Sequence, residues 1–136
     1  MSNTAPSLPW LAQYPPSVPA QLDYSAHHSV VEVLEESFSA YADRTAFWCM
    51  GKGLSYRELD TASLQFAGYL QSIGLSKGAR VAIMLPNLPQ YPVALYGIMR
   101  AGYVVVSINP QYTAHELGFQ LRDSGAEAIV FLEHFG

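Results

Sequence analysis

The sequence predicts an α/β protein built on a Rossmann-like layered parallel sheet, entered through a helix and a small hairpin. Three observations predict it. Residues 81–85, 103–108 and 128–132 are short, nearly unbroken apolar runs of the kind buried on both faces of a parallel sheet. The stretches between them carry helical spacing and are long enough for crossover connections, so the order is strand, helix, strand, helix, strand. Glycines at positions 102 and 125 stand where those helices must stop. Right-handed crossovers and parallel pairing follow.

Taken from the start, residues 1–28 are predicted to be a proline-rich arm. They hold Pro6, Pro9, Pro15, Pro16 and Pro19, show neither hydrophobic period, and offer Trp10, Tyr14 and Tyr24 as aromatic anchors onto the body. Residues 29–136 form that body. Ser29 and Glu32 make an S-x-x-E capping box, and Val30, Val33, Leu34, Phe38 and Tyr41 follow at helical spacing with Glu32, Glu35 and Glu36 opposite. The apolar run 46–50 with the turn Gly51-Lys52-Gly53 predicts a hairpin, and Cys49 between Trp48 and Met50 is expected at a buried strand position.

A second capping box, Ser55 with Glu58, opens a helix whose inner face is read as Leu59, Ala62, Phe66, Tyr69, Leu70 and Ile73, closed by Gly74. After residues 81–85, Pro92 must lie in the first turn of its helix because it has no N–H to give, which puts the N-cap near Pro89 rather than at Asn87. That helix runs to Ala101. Thr113 with Glu116 makes a third capping box, stapled by Tyr112 and Leu117.

Half of the 136 residues are hydrophobic and 13% are charged, which suits a chain with a packed core. Seven Lys and Arg against eleven Asp and Glu, with the basic residues scattered from Arg44 to Arg122, argue against nucleic acid as a partner. A lone cysteine fits a reducing, intracellular setting. The first 25 residues lack a basic residue and a continuous apolar stretch, so no secretory signal is expected, and the most apolar stretch, 93–108, is broken by Arg100 and Gly102.

No set of residues announces chemistry. The loop after the first strand of the crossover unit, Pro86-Asn87-Leu88-Pro89-Gln90, has none of the glycines a dinucleotide pyrophosphate needs. Gly51-Lys52-Gly53 lacks the spacing and the hydroxyl residue of a phosphate loop. His27, His28, His115 and His134 show no ligand spacing with Cys49. Glu35 and Glu36 are expected on a solvated helix face, and Ser63, Ser107 and Ser124 sit in no nucleophile elbow. No catalytic, cofactor-binding or metal-binding residue is assigned.

Longer stretches carry a resemblance. LPNLPQYPVALYGIMRAGYVVVSINPQYTAHELGFQLRDSGAEAIVF, residues 85–131, closely resembles the N-terminal subdomain of bacterial long-chain fatty acid-CoA ligases of the adenylate-forming, AMP-binding superfamily. GLSYREL at 53–59 resembles the family's opening core motif, GARVAIMLPN at 78–87 its first strand and turn, and RAGYVVVSINP at 100–110 its second core motif. The arm sequence PWLAQYPPSVP is similar to the opening of the long-chain subgroup, so the resemblance runs from about Pro9 to Gly136. Ala79 departs from it, since relatives often carry an acidic residue there.

The resemblance implies that residues 29–136 are a partial N-terminal subdomain of a two-step ligase. A fatty carboxylate attacks the α-phosphorus of ATP to give acyl-adenylate and pyrophosphate, and the CoA thiol then displaces AMP. It implies ATP, Mg²⁺ and CoA for the parent and none of them held by this chain, because the family's phosphate loop and catalytic lysine come later. A cytoplasmic parent that touches the inner membrane to collect fatty acid is expected, and this chain is expected to be an inactive scaffold segment. Two rivals remain: a stand-alone, non-catalytic α/β interaction module from a truncated gene, and a nucleotide-binding Rossmann domain.

Overall fold

A computed structural model describes residues 8–133. A 3-10 turn at Pro9–Gln13 is followed by α1 (Val30–Ala40), β1 (Thr45–Cys49), β2 (Lys52–Ser55) and α2 (Tyr56–Ser72). Then come β3 (Arg80–Met84), α3 (Gln90–Arg100), β4 (Val104–Ser107), α4 (Ala114–Ser124) and β5 (Ala128–Phe131). The order read from the sequence is the order found.

β3 is the centre of a three-stranded parallel sheet of order β4-β3-β5, with Val81 opposite Val105 on one side and Ala128 on the other. Its pleat sends alternate side chains to opposite faces. Val81 and Ile83 pack with Leu70 of α2 and with Ala94 and Ile98 of α3, whereas Ala82 and Met84 pack with Ile108 and, from α4, Leu117 and Leu121. Both faces of β3 are therefore covered, and all of Val81, Ala82 and Ile83 are fully buried. Burying Val81 and Ile83 contributes about 1.5–3 kcal/mol each.

The boundaries of the helices follow their caps. Ser55 accepts from the Glu58 amide at 3.2 Å while Glu58 accepts from the Ser55 amide at 2.8 Å, and Thr113 and Glu116 repeat the arrangement at 3.3 and 2.8 Å. Pro89 is the N-cap of α3, as the placement of Pro92 requires. Gly125 ends α4 at φ 62, and its amide donates back to the carbonyls of Leu121 and Arg122.

Several expectations are corrected. In α1 the Ser29 side chain caps the Glu32 amide, but the Glu32 carboxylate accepts from the amide of His28, one residue before the box partner. Phe38 is the buried residue of α1, while Val30, Val33 and Tyr41 are exposed. The hairpin turns at Met50 and Gly51, both at positive φ, because a two-residue loop between twisted strands needs that conformation. Lys52 and Gly53 therefore lie in β2 rather than in the turn. Cys49 is half-buried, not buried, and its neighbours Trp48 and Met50 are 72% and 90% exposed.

The inner face of α2 is also different. Leu59 and Leu70 are buried as expected, but Ser63 and Ala67 share that face and Tyr69 and Ile73 do not. The cause is the closeness of α3. A Cβ on Gly97 would stand 2.7 Å from Cδ1 of Phe66 and 3.0 Å from the Ser63 carbonyl oxygen, so the two helices cross where only small residues fit. The aromatic anchors of the arm fail as anchors, since Trp10, Tyr14 and Tyr24 are 54%, 43% and 80% exposed. A segment without a hydrophobic period has no single face to bury. The arm's first seven residues lie outside the described residues.

Candidate functional site at the carboxyl end of the sheet

In open parallel sheets the ligand crevice lies outside the carboxyl ends of the strands, where successive crossovers leave for opposite faces. Here α3 leaves β3 toward the α2 face and α4 leaves β4 toward the other, so the strand order places such a switch beside β3. The chain beyond β3 turns through Pro86, Asn87 and Leu88, where the Leu88 amide donates to the Pro86 carbonyl at 2.7 Å and Tyr91 closes onto Leu88 at 2.9 Å.

Against this turn stands the hairpin. Phe47, Trp48 and Cys49 on one side and Leu88, Pro89 and Tyr91 on the other line a cavity of about 260 Å³. Cys49 Sγ lies 3.9 Å from the Asn87 carbonyl oxygen, and the wall is mostly apolar. No Lys or Arg lines it. A phosphate chain there would meet no counter-charge from the described residues, so the residues present do not fit ATP with its Mg²⁺.

The neighbouring turn after β4 is held by polar side chains. The Tyr91 and Ser107 hydroxyls lie 3.0 Å apart, Gln120 Nε2 donates to the Ser107 carbonyl at 3.1 Å, and Asn109 Oδ1 accepts from the Gln111 amide at 3.0 Å. These bonds fix the exit of β4 to both α3 and α4. Glu116 lies just beyond, and the amide and then the hydroxyl of Thr113 hold its carboxyl below the usual glutamate range. The side chains are arranged to shape a loop.

Away from the sheet edge one charged cluster stands out. Arg100, only 9% exposed, donates through Nη1 to Asp60 Oδ1 at 2.6 Å, to the Asp60 carbonyl at 3.0 Å and to Ser63 Oγ at 3.0 Å. Its Nη2 lies 3.6 Å from Glu35 Oε1, and the guanidinium stands over the Phe38 ring, 5.3 Å from the centroid. Glu35 is thus engaged by α3 rather than simply solvated, and Glu36 lies 3.7 Å from His27. The sequence reading missed this node. Its partners come from three helices up to 65 residues apart, and the available hint was a cation closing an otherwise apolar helix.

The other residues weighed for chemistry stay apart. Ser63 is buried beside Arg100, Ser107 meets Tyr91, and Ser124 donates to the Leu121 carbonyl. Among the described residues no three His, Cys, Asp or Glu side chains gather as a metal site, and His134 lies outside those residues. No helix among them is long and apolar enough to cross a membrane.

Fold and site together define the class: a parallel α/β subdomain with a crevice at the carboxyl end of its sheet. The family described as AMP-binding enzyme matches residues 34–135, and the chain belongs to that family. It is 51% identical over 127 residues to a long-chain-fatty-acid--CoA ligase of Escherichia coli O6:H1, covering 93% of this chain and 23% of that protein. A ligase of the same name from Bacillus subtilis is 42% identical over 125 residues, covering 92% of this chain and 22% of its own length. The chain therefore spans less than a quarter of these relatives. Among solved structures, the Klebsiella oxytoca NpsA N-terminal subdomain in complex with 3-hydroxyanthranilyl-AMSN superposes with a TM-score of 0.71 at 28% identity, over 74% of this chain and 26% of that one. VinN superposes with a TM-score of 0.73 at 27% identity, over 77% and 28%.

Proposed function

We propose that this chain is the N-terminal scaffold segment of a long-chain fatty acid-CoA ligase. The parent joins a fatty carboxylate to the α-phosphorus of ATP with loss of pyrophosphate, then transfers the acyl group to the CoA sulfur with loss of AMP. The observation that carries this reading is the 51% identity maintained over 93% of the chain to a ligase of that name. The segment's own part is structural: it sets the central strands and the turns at Pro86 and Asn109 that border the crevice, while the groups that neutralise phosphate come from elsewhere in the parent.

The parent's working place is the cytoplasm, in contact with the inner membrane that holds its apolar substrate. The exposed Trp48 and Met50 at the hairpin tip support that contact, since an aromatic ring suits the bilayer interface. The test is ATP- and CoA-dependent thioester formation from palmitate or oleate. The protein from the complete reading frame is expected to turn over and the 136-residue chain is not. Turnover by the short chain, or none by the complete protein, would sink the proposal.

A further inference from the structure

Among the described residues, three of the four α-helices start on a capping side chain and α3 does not. Ser29, Ser55 and Thr113 each accept from a first-turn amide of α1, α2 and α4. The N-cap of α3 is Pro89, which makes no such bond, and Pro92 removes a further N–H from the same turn. That uncapped end is the one that forms a wall of the crevice. It is fastened instead by the second residue of the helix. The Tyr91 amide donates to the Leu88 carbonyl at 2.9 Å, its ring packs against the core, and its hydroxyl lies 3.0 Å from Ser107 Oγ.

Ser107 is a fixed point for that bond. It closes β4 opposite Ile83, its carbonyl accepts from Gln120 Nε2 at 3.1 Å, and the next amide, of Ile108, donates to the Ile83 carbonyl at 2.9 Å. A phenylalanine would fill the same place in the wall without the bond, so the hydroxyl fixes where the ring stands rather than adding apolar contact. From this arrangement we infer that Ser107 is a positioning residue acting through Tyr91, and that the ring so held is part of the surface on which the alkyl chain of the fatty substrate lies. This rests on the ligase reading. Of that reaction's three substrates, ATP and CoA bring phosphates, and the cavity of about 260 Å³ that Tyr91 lines with Phe47, Trp48 and Leu88 has no Lys or Arg in its wall. A hydrocarbon chain needs no counter-charge and gains by leaving water for such a wall. The place fits as well, since open parallel sheets bind ligands at the carboxyl ends of their strands.

The test is steady-state thioester formation by the protein from the complete reading frame, with binding of cis-parinaric acid followed by fluorescence on the same samples. Tyr91→Phe and Ser107→Ala are each expected to raise the KM for palmitate roughly three- to tenfold, the worth of one hydrogen bond, with the KM for ATP unchanged. The double variant should be no worse than either single one, because both remove the same bond. Tyr103→Phe controls for hydroxyl loss in general. The Tyr103 hydroxyl donates to the Leu70 and Leu75 carbonyls, away from the crevice at the amino-terminal end of β4, so that variant should keep the palmitate KM. Additive effects in the double variant, equal rises for palmitate and ATP, or the same rise in Tyr103→Phe would overturn the inference and leave the ligase reading standing. If the unmodified protein forms no thioester but binds parinaric acid, and Tyr91→Phe weakens that binding, the ligase reading falls and the apolar wall stands. No binding of parinaric acid at all would overturn the inference whatever the turnover.

Discussion

Removing the Arg100 guanidinium takes away three donated hydrogen bonds at once and leaves the Asp60 carboxylate and the buried Ser63 hydroxyl without the group that organises them. Hydrogen bonds involving a charged partner are worth more than neutral ones, and losing one member of a partly buried pair costs more than the pair contributes net. Arg100→Met keeps most of the side-chain volume over Phe38, so the loss it produces reports the charge and donors. We expect it to destabilise the fold by about 2–3 kcal/mol in urea denaturation. Asp60→Asn, which keeps an acceptor, is expected to cost less. A change below about 0.5 kcal/mol for Arg100→Met, the range of ordinary surface substitutions, would mean that the node does not hold α1, α2 and α3 together. None of this is legible from local sequence. Capping and periodicity describe neighbours within a turn or two, whereas Asp60 and Arg100 meet only because Gly97 lets α2 and α3 approach.

At the scale of the element, the sequence is far more readable, because a helix start is decided by residues three apart. The Ser55–Glu58 and Thr113–Glu116 boxes are read correctly to the residue, and so is the N-cap at Pro89. The misreadings occur where the deciding contact is distant: the inner face of α2 depends on α3, and Cys49 depends on what the hairpin packs against. Ser55→Ala and Thr113→Ala are each expected to cost about 1 kcal/mol by thermal or urea unfolding. The carboxyls of Glu58 and Glu116 are both held low, first by the backbone amide of the cap residue and then by its hydroxyl. A depressed carboxyl stabilises the fold fully above its unfolded-state pKa, and that stabilisation is lost as pH falls through the lower folded-state value. Stability should therefore decline on acidification below the ordinary glutamate range, and Glu58→Gln with Glu116→Gln should flatten that decline. An unchanged acid limb in the double variant would show that the boxes contribute nothing to it.

For the whole molecule, the parallel pairing and the covered faces of the sheet are legible in the sequence, since buried strand runs and crossover lengths announce them, whereas the order β4-β3-β5 is not. Nor is the crevice, because it is made by the hairpin standing against the turn after β3, two segments joined only through α2. What the crevice lacks bears directly on what the chain can bind. Its walls are mostly apolar and hold no Lys or Arg, the chain carries a formal charge of -4, and Lys77 and Arg80 lie at the opposite, amino-terminal end of β3. A triphosphate needs several donors and cations gathered at one place, and a helix start could supply part of that field. At α3 the N-cap is Pro89, which has no side-chain acceptor or donor, and the first turn contains Pro92, so that end offers fewer amides than an ordinary helix. Calorimetric titration of Mg²⁺ and ATP into the 136-residue chain should accordingly give no saturable heat up to millimolar nucleotide. Binding in the micromolar range would show that this scaffold already recognises nucleotide without a gathered set of cations.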